Sequence, residues 1–186
     1  MTDQWKIHEG WLAGALHILS PNCNPRPEGA VTDLVVVHGI SLPPGQYGGP
    51  EIEALFTNTL DAAAHPYFSE IAHLEVSAHF LIRRAGEVVQ FVSTDERAWH
   101  AGASSWKGRE QCNDFSIGIE LEGCDEEAYT DSQYDALNQL LGALTKQYPD
   151  IRHDAIVGHS DIAPGRKTDP GPAFDWSRLV AHQSEQ

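Results

Sequence analysis

Residues 34–38, Leu34-Val35-Val36-Val37-His38, form an unbroken aliphatic run that ends in a histidine. A strand with one wet face alternates apolar and polar residues, so this run predicts a central strand covered on both faces, the pattern of α/β sheets. Directly after it, residues 39–50 (GISLPPGQYGGP) hold four glycines and three prolines and predict a long loop leaving the strand. His38 therefore stands where a buried strand meets a loop, a place where α/β proteins gather chemistry.

Working outward, Ile52, Leu55, Phe56, Thr59 and Leu60 recur at helical spacing and predict an amphipathic helix over 51–64. Segments 78–83 and 88–92 flank Ala85-Gly86-Glu87 and predict a hairpin. In 116–121, alternation puts Ile117, Ile119 and Leu121 on one face and Ser116, Gly118 and Glu120 on the other. Thr130 to Gln133 has capping-box spacing, and Tyr134, Leu137, Leu140, Leu141, Leu144 and Tyr148 continue a helix that stops before Pro149. A short strand over 155–158 leads into His159, and 160–174 is a Pro/Gly-rich loop. Residues 20–29 (SPNCNPRPEG) predict an extended surface segment. The fold class is mixed α/β, a central mixed β-sheet flanked by helices.

A chain of 186 residues fits one domain, taken as 1–186, with a core large enough to need neither staples nor oligomerisation, so a monomer is expected. The 27 acidic and 12 basic side chains give a net charge of −15, which repels nucleic-acid phosphates and anionic membrane faces. Arg83, Arg84, Arg97, Lys107 and Arg109 cluster in one stretch and leave room for a local anion site. Three cysteines, Cys23, Cys112 and Cys124, form an odd set that suits unmodified thiols in a reducing compartment. Residues 11–19 lack the charge pattern of a secretory signal, and no stretch is long and apolar enough to span a bilayer. A cytoplasmic location is expected.

Ten histidines are too many to single out by type alone. Position favours His38 and His159, each directly after an apolar strand, with Asp169 ten positions beyond in a loop stiffened by Pro164 and Pro170. Two imidazoles and one carboxylate match an open catalytic zinc site, which takes three protein ligands. Other trios can be drawn from His65, His73, His79 and His100, so spacing leaves the choice open. Nucleophile elbows, Walker loops and Gly-x-Gly-x-x-Gly motifs are absent from the sequence, which leaves a metal hydrolase.

The segments VVVHGISLPPGQYGGPEIEALF, IAHLEVSAHFLIRRAGEVVQFV, RAWHAG, CNDFSIGIELEG, AYTDSQY and GHSDIAPGRKTDPGPAFDWSR occur in order between about Gly10 and Arg178. They closely resemble the cytoplasmic 1,6-anhydro-N-acetylmuramyl-L-alanine amidases, a family of zinc amidases related to peptidoglycan-recognition proteins. The resemblance implies their mixed α/β fold, zinc on His38, His159 and Asp169, a catalytic glutamate at Glu120 and a catalytic lysine at Lys167. It implies a small-molecule substrate, an anhydromuropeptide cut between (1,6-anhydro-)N-acetylmuramic acid and L-alanine during peptidoglycan recycling. Trp99-His100-Ala101-Gly102 resembles a wall of the family's substrate groove. The family commonly carries asparagine after the first zinc histidine, where this chain has Gly39, so peptide contacts there are not carried over. Two rival readings remain, a non-catalytic muropeptide-binding module of the same fold and an amidase acting on intact cell wall.

Overall fold

The computed structural model describes residues 3–180. Its centre is a six-stranded sheet built from β1 (Leu16–His17), β2 (Leu34–Ile40), β3 (Phe80–Ile82), β4 (Val88–Gln90), β5 (Ser116–Glu122) and β6 (Ile156–Gly158), in the order β6-β2-β5-β3-β4-β1. β2 lies parallel to both β5 and β6, β5 is parallel to β3, and β3 pairs antiparallel with β4. The sheet is thus mixed, as the sequence predicts.

The aliphatic run explains itself in this position. Val35 and Val37 pack under one face of the sheet with Ile117, Ile119 and Leu121, against Leu137, Leu140, Leu141 and Leu144 of a long helix, α3 (Asp131–Gln147). Leu34 and Val36 point the other way and join Ala101, Cys112, Phe115, Val157 and Ile162. Each of the four is 0 % exposed, and complete burial of one such side chain contributes roughly 1.5–3 kcal/mol. By the period of two, His38 shares the face opposite α3 with Leu34 and Val36. Ser116, Gly118 and Glu120 share that face, since the register sets Glu120 beside His38.

Three other helices are short: α1 (Glu51–Phe56), α2 (Pro66–Ile71) and α4 (His159–Ile162), whereas α3 spans Asp131–Gln147. α3 begins as predicted: the Thr130 hydroxyl accepts from Gln133 N–H at 3.2 Å and Gln133 Oε1 accepts from Thr130 N–H at 3.1 Å.

Three expectations are corrected here. The helix predicted over 51–64 ends at Phe56, because Asn58 adopts φ 59° and the Thr57 hydroxyl donates back to Glu53 O, while Leu60 packs on the core without being helical. α2 then follows, capped by the His65 ring, whose Nδ1 accepts from Tyr67 N–H at 3.1 Å. Segment 20–29 is not a plain surface stretch: Cys23–Pro25 pairs antiparallel with Glu96–Ala98, and Arg26 reaches inward to donate to four backbone carbonyls. The clustered cations form no anion site. Arg83 pairs with Glu53 and Glu122, Arg84 with Glu127, Arg97 with Asp114, Lys107 with Asp154 and Arg109 with Asp33, so each is matched to a carboxylate.

Candidate metal centre and active site

The three parallel strands β2, β5 and β6 finish at one edge of the sheet, and each delivers a side chain there. His38 lies in β2 and is 1 % exposed, Glu120 sits beside it on β5, and His159 follows β6 as the first residue of α4. The Asp161 carboxylate accepts from Gly158 N–H at 2.7 Å and so fixes the turn that aims His159. The loop after α4 folds back. Ser160 N–H donates to Asp169 O at 3.1 Å and the Tyr129 hydroxyl donates to Pro170 O at 2.9 Å, which tethers Asp169 from both sides.

These tethers bring three donor atoms together. The Nδ1 atoms of His38 and His159 are 2.9 Å apart, and Asp169 Oδ2 lies 3.2 Å from the first and 3.1 Å from the second. Ligands bound at about 2.0–2.1 Å with tetrahedral angles stand roughly 3.3 Å from one another, so the spacing fits a single ion. Burial lowers the His38 pKa to about 4, against the pull of its Asp169 contact, so the ring is neutral at pH 7. Burial pushes the Asp169 carboxyl up, but its contacts with His159 and His38 outweigh that and hold it well below the usual carboxylate range. Neutral imidazole and ionised carboxylate are the protonation states a metal requires.

Glu120 is 9 % exposed, and its Oε2 has no hydrogen-bond partner among the described residues. Desolvation pushes its pKa well above the ordinary value, the Asp169 charge adds to the rise, and the Lys167 charge opposes it. A buried carboxylate oxygen without a partner is expensive, and this one belongs to a residue that stands beside His38 on the neighbouring strand. Lys167 lies on the exposed loop between α4 and Asp169, and its ammonium makes no hydrogen bond or ion pair among the described residues. Its neighbour Arg166 is held instead, donating to Ala101 O and Ala103 O at 2.7 Å each.

The other trios dissolve. His65 caps α2 and His79 is buried beside Arg26. His100 is also buried and faces His38 rather than a groove, which corrects its reading as part of a groove wall. Trp99 reaches outward instead, where its indole N–H donates to Asn24 Oδ1 at 2.6 Å. A Cβ at Gly39 would meet the Tyr129 hydroxyl, so in this chain the residue after the first histidine makes room for the tether on Pro170.

The family profile described as N-acetylmuramoyl-L-alanine amidase matches residues 28–172, which include His38, Glu120, His159, Lys167 and Asp169. The chain belongs to that amidase family. This amidase is 62% identical over 173 residues to 1,6-anhydro-N-acetylmuramyl-L-alanine amidase AmpD of Escherichia coli strain K12, covering 93% of this chain and 94% of that one. It superposes on a crystal structure of a selenomethionine AmpD derivative with a TM-score of 0.91 at 61% identity, over 93% of this chain and 96% of the other. AmpDh3 from Pseudomonas aeruginosa, solved in complex with anhydromuramic pentapeptide, is 30% identical with a TM-score of 0.62, over 87% of the amidase and 64% of that chain. Among the described residues of the amidase, His38, His159 and Asp169 are the one group whose donor atoms converge as a metal site requires, all within 4.8 Å of one another.

Proposed function

We propose that the chain hydrolyses the amide between (1,6-anhydro-)N-acetylmuramic acid and L-alanine in small peptidoglycan-recycling fragments, with zinc held by His38, His159 and Asp169. The observation that carries this reading is the convergence of two imidazoles and a carboxylate at about 3 Å, beside the unpartnered Glu120 carboxylate. A borderline set of two nitrogens and one oxygen suits zinc better than magnesium or calcium, which favour oxygen ligands. Bound there, zinc supplies Lewis acidity toward the lactyl-amide carbonyl and the attacking water.

The chain's own groups do the rest. Glu120 accepts the proton of the attacking water on its free oxygen and returns it to the leaving alanine nitrogen, the task of one carboxylate acting as base and then acid. Lys167, free of other partners among the described residues, faces the oxyanion that develops on the carbonyl oxygen and lowers the barrier by a charge interaction that grows only as the bond breaks. His38, His159 and Asp169 hold their positions throughout. We further take residues 1–186 as one domain that acts as a cytoplasmic monomer. No helix among the described residues is long and apolar enough to cross a membrane.

The test is to incubate the purified protein with anhydromuropeptide and with intact murein, and to identify products by mass spectrometry before and after chelation. Release of free stem peptide from the anhydromuropeptide, loss of this activity with the metal, and recovery on adding about one zinc per chain are the expected results. Tight binding without cleavage would convert the reading into that of a binding module, and cleavage of intact murein alone would make the protein a cell-wall amidase.

A further inference from the structure

The ligand imidazoles each turn one nitrogen away from the trio, and both of those nitrogens meet the same dipeptide. His38 Nε2 lies 2.9 Å from His100 Nδ1, and His159 Nε2 lies 3.2 Å from Ala101 O. A carbonyl only accepts, so Ala101 holds His159 with its proton on Nε2 and its Nδ1 lone pair turned toward the trio. His38 needs the same arrangement, which requires an acceptor at His100 Nδ1. His100 then carries its own proton on Nε2, 3.1 Å from Ser116 Oγ, which receives it. The dipeptide is itself fixed, since the N–H groups of His100 and Ala101 both donate to Asn113 Oδ1, at 3.1 and 2.8 Å.

We propose that His100 is a positioning residue of the metal centre: it accepts the Nε2 proton of His38 and thereby keeps the His38 Nδ1 lone pair free for the ion. This rests on the zinc reading above. The reverse polarity, with His100 donating, would put the His38 proton on Nδ1, aimed at His159 and Asp169, and would remove one of three ligands. The sheet is shaped for this contact. A Cβ at position 118 would collide with the His100 ring, so the small face of β5 supplies an acceptor at Ser116, room at Gly118 and the free carboxylate at Glu120. Outer partners of this kind set both the orientation and the basicity of a ligand imidazole.

The test measures zinc affinity by competition with a chromophoric chelator in the wild type, in His100→Phe, which keeps the ring volume but has no acceptor, and in His100→Asn, whose amide oxygen replaces Nδ1. The expected result is a 10–100-fold weaker affinity for the phenylalanine variant and recovery of most of it with asparagine. Equal affinity in wild type and His100→Phe, or equal weakening by Phe and Asn, overturns the proposal. Nitrogen NMR of the zinc-loaded wild type gives an answer that does not depend on the variants folding: the single ring proton of His100 belongs on Nε2, and its presence on Nδ1 overturns the proposal. A wild type that captures no zinc, or a His38→Ala variant that captures it as tightly, sinks the zinc reading itself and is distinguishable from either outcome.

Discussion

In the proposed mechanism, Glu120 and the three metal-holding residues could each abolish activity when changed, yet they act through different steps. If zinc sits on His38, His159 and Asp169 as proposed, replacing any of them by alanine should empty the protein of zinc, as metal analysis after gel filtration would record. Glu120→Gln preserves shape and should retain zinc while turnover falls to background. Normal turnover in that fully loaded variant would leave the attacking water in need of another proton acceptor and eliminate the proposed role. Lys167→Ala should lower kcat and kcat/KM together, by roughly 10²–10³, if its ammonium meets only the developing oxyanion. A raised KM with unchanged kcat would assign it to substrate binding instead. The convergent histidines were open to reading because strand ends are visible in a sequence: LVVVH and AIVGH each announce a histidine at a sheet edge. The shell behind them was not. His100 meets His38 across 62 positions and Ala101 acts through a backbone carbonyl, for which no side-chain pattern exists.

At the level of elements, α3 was read correctly because its information is local. The apolar period, the cap and the proline stop all lie within the segment itself, and Thr130→Ala should remove the cap at about 1 kcal/mol, lowering the melting temperature by roughly 2–4 °C in a domain of this size. A melt unchanged within error would show that the Thr130 contacts add nothing net. The predicted 51–64 helix failed for the opposite reason. Thr59 and Leu60 keep the period while Asn58 turns the chain into the left-handed region, a change that no periodicity records. Likewise, the clustered cations found their acidic partners 17 to 76 positions away, beyond the reach of a linear reading. β5 carries its own prediction: Gly118→Ala presses a methyl group into the His100 ring and should destabilise the fold by about 1–3 kcal/mol, measured by urea unfolding.

Across the whole molecule, the buried histidines couple folding to pH. His79 donates its Nε2 proton to Glu96 O at 3.0 Å and accepts from Gly118 N–H at Nδ1, also at 3.0 Å, so both ring nitrogens are committed to the neutral form. Burial, with the nearby Arg26 guanidinium, lowers its pKa from 6.5 to about 3, and its remaining titratable neighbour, His100, is also kept neutral by burial. The unfolded chain therefore takes up a proton below pH 6.5 that the folded chain refuses, and stability falls as pH drops from there toward 3. At pH 5 the loss from His79 alone is about 2 kcal/mol relative to pH 7. Urea midpoints at the two pH values should show it, and His79→Asn, which keeps the acceptor for Gly118, should flatten the slope whatever its absolute stability. An unchanged slope would assign the acid sensitivity elsewhere. The spread of the donor trio along the chain has a further consequence, for biosynthesis. His38 leaves the ribosome 121 residues ahead of His159 and 131 ahead of Asp169, so for most of translation the nascent chain offers an ion one imidazole of the trio and no cage. Which ion is taken is decided by the finished sheet edge and not by whichever ion the first histidine happens to meet.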